Sequence, residues 1–141
     1  MKILYLCTDF GIPVLGRKGA AVHVRELIAA FGRAGHSVLL TAQSLKGVWE
    51  KPEGLDSMFS QLPSASDVVA TVQSLKAFNE ILEVENALPG HVRRIAYNQE
   101  VLRLLKRRFR KHPPDFIYER ASLFSIAGVL LAREINRPLI I

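Results

Sequence analysis

The order of the first forty-two residues constrains this chain more than any other feature. A short apolar run, KILYLC at 2–7, is rich in strand formers. A loop from Thr8 to Gly19 follows, containing Gly11, Pro13 and Gly16. From Ala20 to Ala34, Val24, Leu27, Ile28 and Phe31 recur at helical spacing, with Arg25, Glu26 and Arg33 elsewhere on the wheel. Gly35 then stands where a helix C-cap glycine belongs, and SVLLTA at 37–42 is a second apolar run of strand length. Two short buried strands joined by a helical crossover must lie parallel in one sheet.

The rest of the chain continues the alternation. Gln43 to Ser64 has no clear period, being interrupted by Trp49, Pro52, Gly54 and Pro63, with a short third strand expected near Ser57 to Leu62. Ser66 or Asp67 can cap a helix running to Asn86, and Pro89-Gly90 separates it from a basic helix spanning His91 to Lys111. Pro113 and Pro114 stop that helix before the strand DFIY at 115–118. Ser122 is expected to cap a helix with Leu123, Ile126, Ala127, Leu130 and Leu131 on one face, ending at Asn136, and PLII at 138–141 begins another strand. Continuous apolar strands alternating with helices predict an α/β domain built on a doubly wound parallel sheet covered on both faces. In such sheets ligands bind beyond the carboxyl ends of the strands, which directs attention to the loops after Cys7, Ala42 and Tyr118.

A length of 141 residues and 49% hydrophobic content suit one domain with one core. The apolar strand ending at Ile140-Ile141 leads to the expectation that the polypeptide is cut from something longer. No run approaches the roughly 18 apolar residues needed to span a bilayer, so the domain is expected to stay in the cytoplasm. Cys7 is the only cysteine, which excludes an internal disulfide and a cysteine metal cluster and suits a core thiol.

The loop before the first helix is the strongest candidate for chemistry. Its glycines allow close backbone approach, and a helix N-terminus offers unpaired N–H groups with roughly half a positive charge, suited to phosphate. Gly16, Lys18, Gly19 and Ala20 would form that site, with Arg17 beside it; ordinary turns are the competing role for these glycines. Known phosphate motifs fit less well. The dinucleotide fingerprint needs G-x-G-x-x-G and a later acid, whereas the spacing here is Gly16-Arg17-Lys18-Gly19 and the second strand ends in Thr41-Ala42-Gln43. A P-loop needs Gly-Lys-Ser/Thr entering the helix, where this chain has Gly19-Ala20-Ala21.

The segments GRKGAAVHVRELIAAFGRAGHSV and PPDFIYERASLFSIAGVLLAREINRPLII resemble the N-terminal domain of family-four glycosyltransferases. The resemblance covers both ends of the chain well and the middle poorly. It implies the N-terminal half of a GT-B enzyme, a Rossmann-like domain of residues 1–141 that holds the acceptor, while a second domain supplies most donor contacts. It further implies transfer of a sugar from a nucleotide-sugar donor to a saccharide or lipid-linked acceptor, with retention, without a cofactor and without a metal, matching the lack of an Asp-x-Asp pair. By this likeness Gly16 and Gly19 would close against the donor diphosphate, and His23, Glu119 and Arg120 are acceptor or cleft candidates. His23 also suits a packed helix surface, and Glu119 and Arg120 suit structural ion pairs. No catalytic residue is assigned within 1–141.

Charge is concentrated in one place. Arg93 to Lys111 holds eight basic residues against the single acid Glu100, more than the whole chain's net +6. Val92, Ile95, Leu102, Leu105 and Phe109 form an apolar stripe on the same helix, so the cations are either its solvated face or a docking surface for an anionic membrane on the cytoplasmic side. The alternative reading is a basic nucleic-acid-binding or regulatory module without catalysis. Only Phe109 interleaves the Arg/Lys cluster, and no nucleic-acid-binding motif is present, so no nucleic-acid partner is expected.

Overall fold

The computed structural model describes residues 1–48, 58–61 and 64–141, with the backbone alone for 58–61. The elements run β1 (Lys2–Cys7), α1 (Gly19–Arg33), β2 (Ser37–Ala42), β3 (Met58–Gln61), α2 (Ser66–Ile81), α3 (Leu88–Phe109), β4 (Phe116–Glu119), α4 (Ala127–Ile135) and β5 (Leu139–Ile140). The five strands form one sheet in the order β3-β2-β1-β4-β5, and every pairing is parallel. The expected third strand lies at Met58–Gln61, while Trp49, Pro52, Gly54 and Pro63 fall outside the described residues.

Strand side chains alternate between two buried faces. Ile3, Tyr5 and Cys7 of β1, with Val38, Leu40 and Ala42 of β2, pack against Ala21, Val24 and Ile28 of α1. Leu4 and Leu6 point the other way, into Tyr97, Val101 and Leu105 of α3 and Ala127 and Leu131 of α4. Helices thus cover both faces, as a sheet of continuous apolar strands requires. Each large side chain so buried contributes about 1.5–3 kcal/mol. Cys7 is a core thiol, and burial pushes it up to about 11.

Several helix details differ from the sequence expectations. The helix α2 ends at Ile81 rather than Asn86; Glu83, at φ 53°, turns the chain out of it. The helix α3 begins at Leu88 and takes Pro89 and Gly90 into its first turn, where a missing proline N–H is harmless. Its buried stripe is Tyr97, Asn98, Val101 and Leu105, while Ile95 is exposed. Asn98 stands level with the start of α4, so the N-terminal end of α3 extends about 15 Å past that level, while Tyr97 still packs on Leu4 and Leu6. The helix α2 packs on α3 and buries only Val72 of its own residues.

The helix α4 starts at Ala127, and Ser122 does not cap it. Asn98 Oδ1 accepts the Ile126 and Ala127 amides instead, each at 3.1 Å. The buried face of α4 is Ala127, Gly128, Leu131 and Ala132, whereas Leu123, Ile126 and Leu130 are exposed. Arg25, placed by the wheel away from the apolar face of α1, is buried.

Candidate functional site at the carboxyl edge

In this strand order the connections run to opposite sides of the sheet on either side of the β1/β4 boundary. The crevice between the loop after β1 and the loop after β4 is therefore the topological switch point, where open α/β sheets bind ligands. The two loops are linked across it. The Thr8 hydroxyl donates to Ser125 Oγ at 3.4 Å, and Ser125 Oγ donates to Glu119 Oε1 at 2.8 Å. Arg120 Nη1 lies 3.3 Å from His23 Nδ1, joining the end of β4 to the second turn of α1.

The helices α1 and α4 begin at this rim, and their N-termini differ. The start of α4 is closed from inside. Asn98 takes its first amides, and Glu119 Oε2 accepts the Gly128 N–H at 3.1 Å. Glu119 is 1% exposed, and burial raises its carboxyl above the ordinary value, with the hydrogen bonds from Ser125, Gly128 and Val129 pulling against that rise.

The start of α1 is open. Its N-cap residue, Lys18, supplies no side-chain cap, and among the described residues the Lys18, Gly19 and Ala20 amides have no protein acceptor. The first amides to be taken are those of Ala21 and Val22, both by the Lys18 carbonyl. A Cβ placed on Gly19 would meet nothing within 4 Å. Three unpaired N–H groups and the positive end of the helix dipole thus face an unobstructed approach, flanked by exposed Arg17 and Lys18.

The loop that delivers this helix end is built rather than slack. Arg25 Nη1 donates to the carbonyls of both Val14 and Gly16 at 2.7 Å. Val14 N donates to the Ser44 carbonyl at 3.0 Å, and Leu15 bridges to Gly47, which ties the loop to the segment after β2. Because a trans peptide points its C=O and N–H in opposite directions, holding the Gly16 carbonyl inward turns the Arg17 N–H away from Arg25. Gly16 has a structural reason to be glycine: a Cβ there would sit 2.9 Å from the Pro13 carbonyl oxygen.

The candidate residues therefore separate. Lys18, Gly19 and Ala20 form the open helix start, with Gly16 shaping the turn behind them. His23 and Arg120 pair on the α1 side of the crevice. Glu119 points to the opposite face and is consumed by α4, so it forms no ion pair with Arg120 and does not line the crevice. Arg120 Nε and the Tyr5 hydroxyl are both buried, and the Arg120 side chain is the hydrogen-bonding neighbour of that hydroxyl. Burial pushes the Tyr5 phenol well up, and the Arg120 charge pulls the other way. Arg25, Asn98 and Ser125 are absent from the sequence candidates. Asn98 is a polar residue inside the Tyr97, Val101, Leu105 stripe, and Arg25 adjoins Val24; those neighbours are the only signals the sequence offers.

The basic run of α3 is not one patch. Arg93 lies at the rim end, its guanidinium 4.2 Å from the centre of the Phe10 ring, and Arg94 is beside Gly90. Arg107, Arg110 and Lys111 lie at the opposite, amino edge of the sheet, near Lys2 and Arg137, where Lys106 pairs with Glu134 at 2.7 Å. Among the described residues no cluster of His, Cys, Asp and Glu could hold a metal ion, and no helix is long and apolar enough to cross a membrane. In comparisons with known proteins, no family model and no curated protein matches the chain.

Proposed function

We propose that this domain is the acceptor-side half of a GT-B glycosyltransferase, moving a sugar from a nucleotide-sugar donor to a saccharide or lipid-linked acceptor. The observation that carries the reading is the contrast at the rim: one helix start plugged by Asn98 and Glu119, the other left open beside Gly19. An open helix start at a switch-point crevice suits a phosphate-bearing ligand. The likeness of residues 16–38 and 113–141 to family-four enzymes supplies the chemistry, since both segments border that crevice.

In the reaction this chain's part is electrostatic. The Lys18, Gly19 and Ala20 amides would receive the negative charge that grows on the diphosphate as the glycosidic bond to it breaks, and Arg17 and Lys18 add mobile cations. His23 and Arg120 would orient the acceptor. Most donor contacts belong to the second domain that the family likeness implies, and the reaction proceeds in the cytoplasm.

The test is a binding and turnover comparison using uridine, guanosine and adenosine diphosphate sugars. The expected result is weak binding by this chain, abolished in Gly19→Asp, which sets a carboxylate against the diphosphate, and no transfer without a second domain. Undiminished binding by Gly19→Asp, or robust turnover by residues 1–141 alone, contradicts the reading.

A further inference from the structure

Among the described residues, three non-glycine residues have positive φ: Glu83, Phe124 and Asn136. Two of them have ordinary reasons. Glu83 turns the chain out of α2, and Asn136 is the left-handed C-cap of α4. Phe124, at φ 63°, ends no helix. It is the third residue of the turn closed by the Ser125 N–H on the Ser122 carbonyl at 3.0 Å, a place where positive φ ordinarily selects Gly or Asn. A bulky aromatic in that conformation is a true outlier, and such outliers collect at ligand sites because surrounding structure holds them there.

The surroundings do hold it. Ser125 is fixed by Glu119 and Thr8 on one side, and Asn98 fixes Ile126 on the other. The turn therefore cannot relax without breaking the closure of α4. Its effect is to place an aromatic ring in the loop after β4, against the first turn of α3. The Phe124 ring meets His91 at 4.9 Å in an edge-on arrangement, and it stays partly exposed. A separate aromatic pair stands further along α3, where Phe10 is edge-on to Tyr97 at 5.1 Å and under Arg93.

We propose that Phe124 is the platform for the acceptor's sugar ring, a specificity-determining residue on the rim with His91 beside it. The proposal rests on the glycosyltransferase reading and gives its acceptor a place distinct from the donor loop. The negative face of an aromatic ring suits the polarised C–H face of a pyranose, and His91 offers a polar edge for a hydroxyl. A ring of this kind discriminates by which face of the sugar carries axial hydroxyls.

The test uses the chain itself with methyl glycosides of glucose, galactose, mannose and N-acetylglucosamine as probes, read by saturation-transfer NMR together with thermal melting. At least one glycoside should bind the native chain and shift the Phe124 and His91 ring signals. Phe124→Gly, which fits the positive φ without strain, should weaken that binding about ten-fold and leave the melting temperature unchanged or higher. Phe124→Asn, also tolerant of this conformation, should do the same and covers the event that glycine loosens the turn. Binding by none of the glycosides, or undiminished binding by both variants, overturns the proposal. So does a loss of melting temperature in both, which would make the ring a strut for α3. The donor loop is probed separately with inorganic pyrophosphate, so failure there leaves this result standing and failure here leaves the donor loop standing.

Discussion

Glu119 and Gly128 are fitted to each other: the carboxylate accepts the Gly128 N–H at 3.1 Å, and a Cβ on residue 128 would collide with that same carboxylate. The contact seals the N-terminus of α4 and leaves the N-terminus of α1 as the open one at the rim.

Gly128→Ala should therefore destabilise the fold. Helix propensity alone favours alanine over glycine by about 1 kcal/mol. The collision with Glu119, whose own position is fixed by Ser125, should reverse the sign and cost about 1–3 kcal/mol. Urea denaturation of the two proteins decides the matter, and a stabilised variant would show that the carboxylate moves aside freely.

The stability of the chain should carry a pH signature from Glu119. Burial raises its folded-state carboxyl above the ordinary 4.5, so the folded chain holds the proton more tightly than the unfolded one. This contribution is fully present below the ordinary value and is lost as pH climbs through the raised folded value. Glu119→Gln removes it. The difference in urea midpoint between the native chain and the variant, followed from pH ~4 to ~8, should move steadily in favour of the variant. A difference moving the opposite way would mean that the hydrogen bonds from Ser125 and Gly128 outweigh desolvation.

Arg25→Met should loosen the donor loop before it loosens the sheet. The change strands two carbonyls, Val14 and Gly16, that share one guanidinium nitrogen, for a loss of about 2–4 kcal/mol. Amide hydrogen exchange should accelerate first at residues 14–18, with the amides of β1 and β4 protected as before. Acceleration spread evenly over the sheet would make Arg25 a general core residue.

The architecture was legible in the sequence because parallel strands buried on both faces read as unbroken apolar runs, as KILYLC, SVLLTA and DFIY do. Helix boundaries were legible where a local signal exists, as with Gly35 after α1. The start of α4 was not, because its cap comes from Asn98, distant in sequence, and local reading credited Ser122 in its place. The stripe on α3 holds at Leu102, Leu105 and Phe109 but fails at Ile95, which is exposed: periodicity cannot say where along a helix its packing partner ends. Of the candidate site, the open start of α1 followed from the glycine-bearing loop and the fold rule together. Glu119 looked like a rim residue by position, yet strand alternation turns it onto the α4 face, one residue from Arg120 and on the opposite side of the sheet.

The most direct test of the account is an amide NMR titration of this chain with inorganic pyrophosphate. The account predicts that the Lys18, Gly19 and Ala20 amides shift together and saturate, while Gly128 and Val129, sealed by Glu119, stay still. Shifts confined to the basic amino edge around Lys2, Lys111 and Arg137, with Gly19 and Ala20 unmoved, would contradict it.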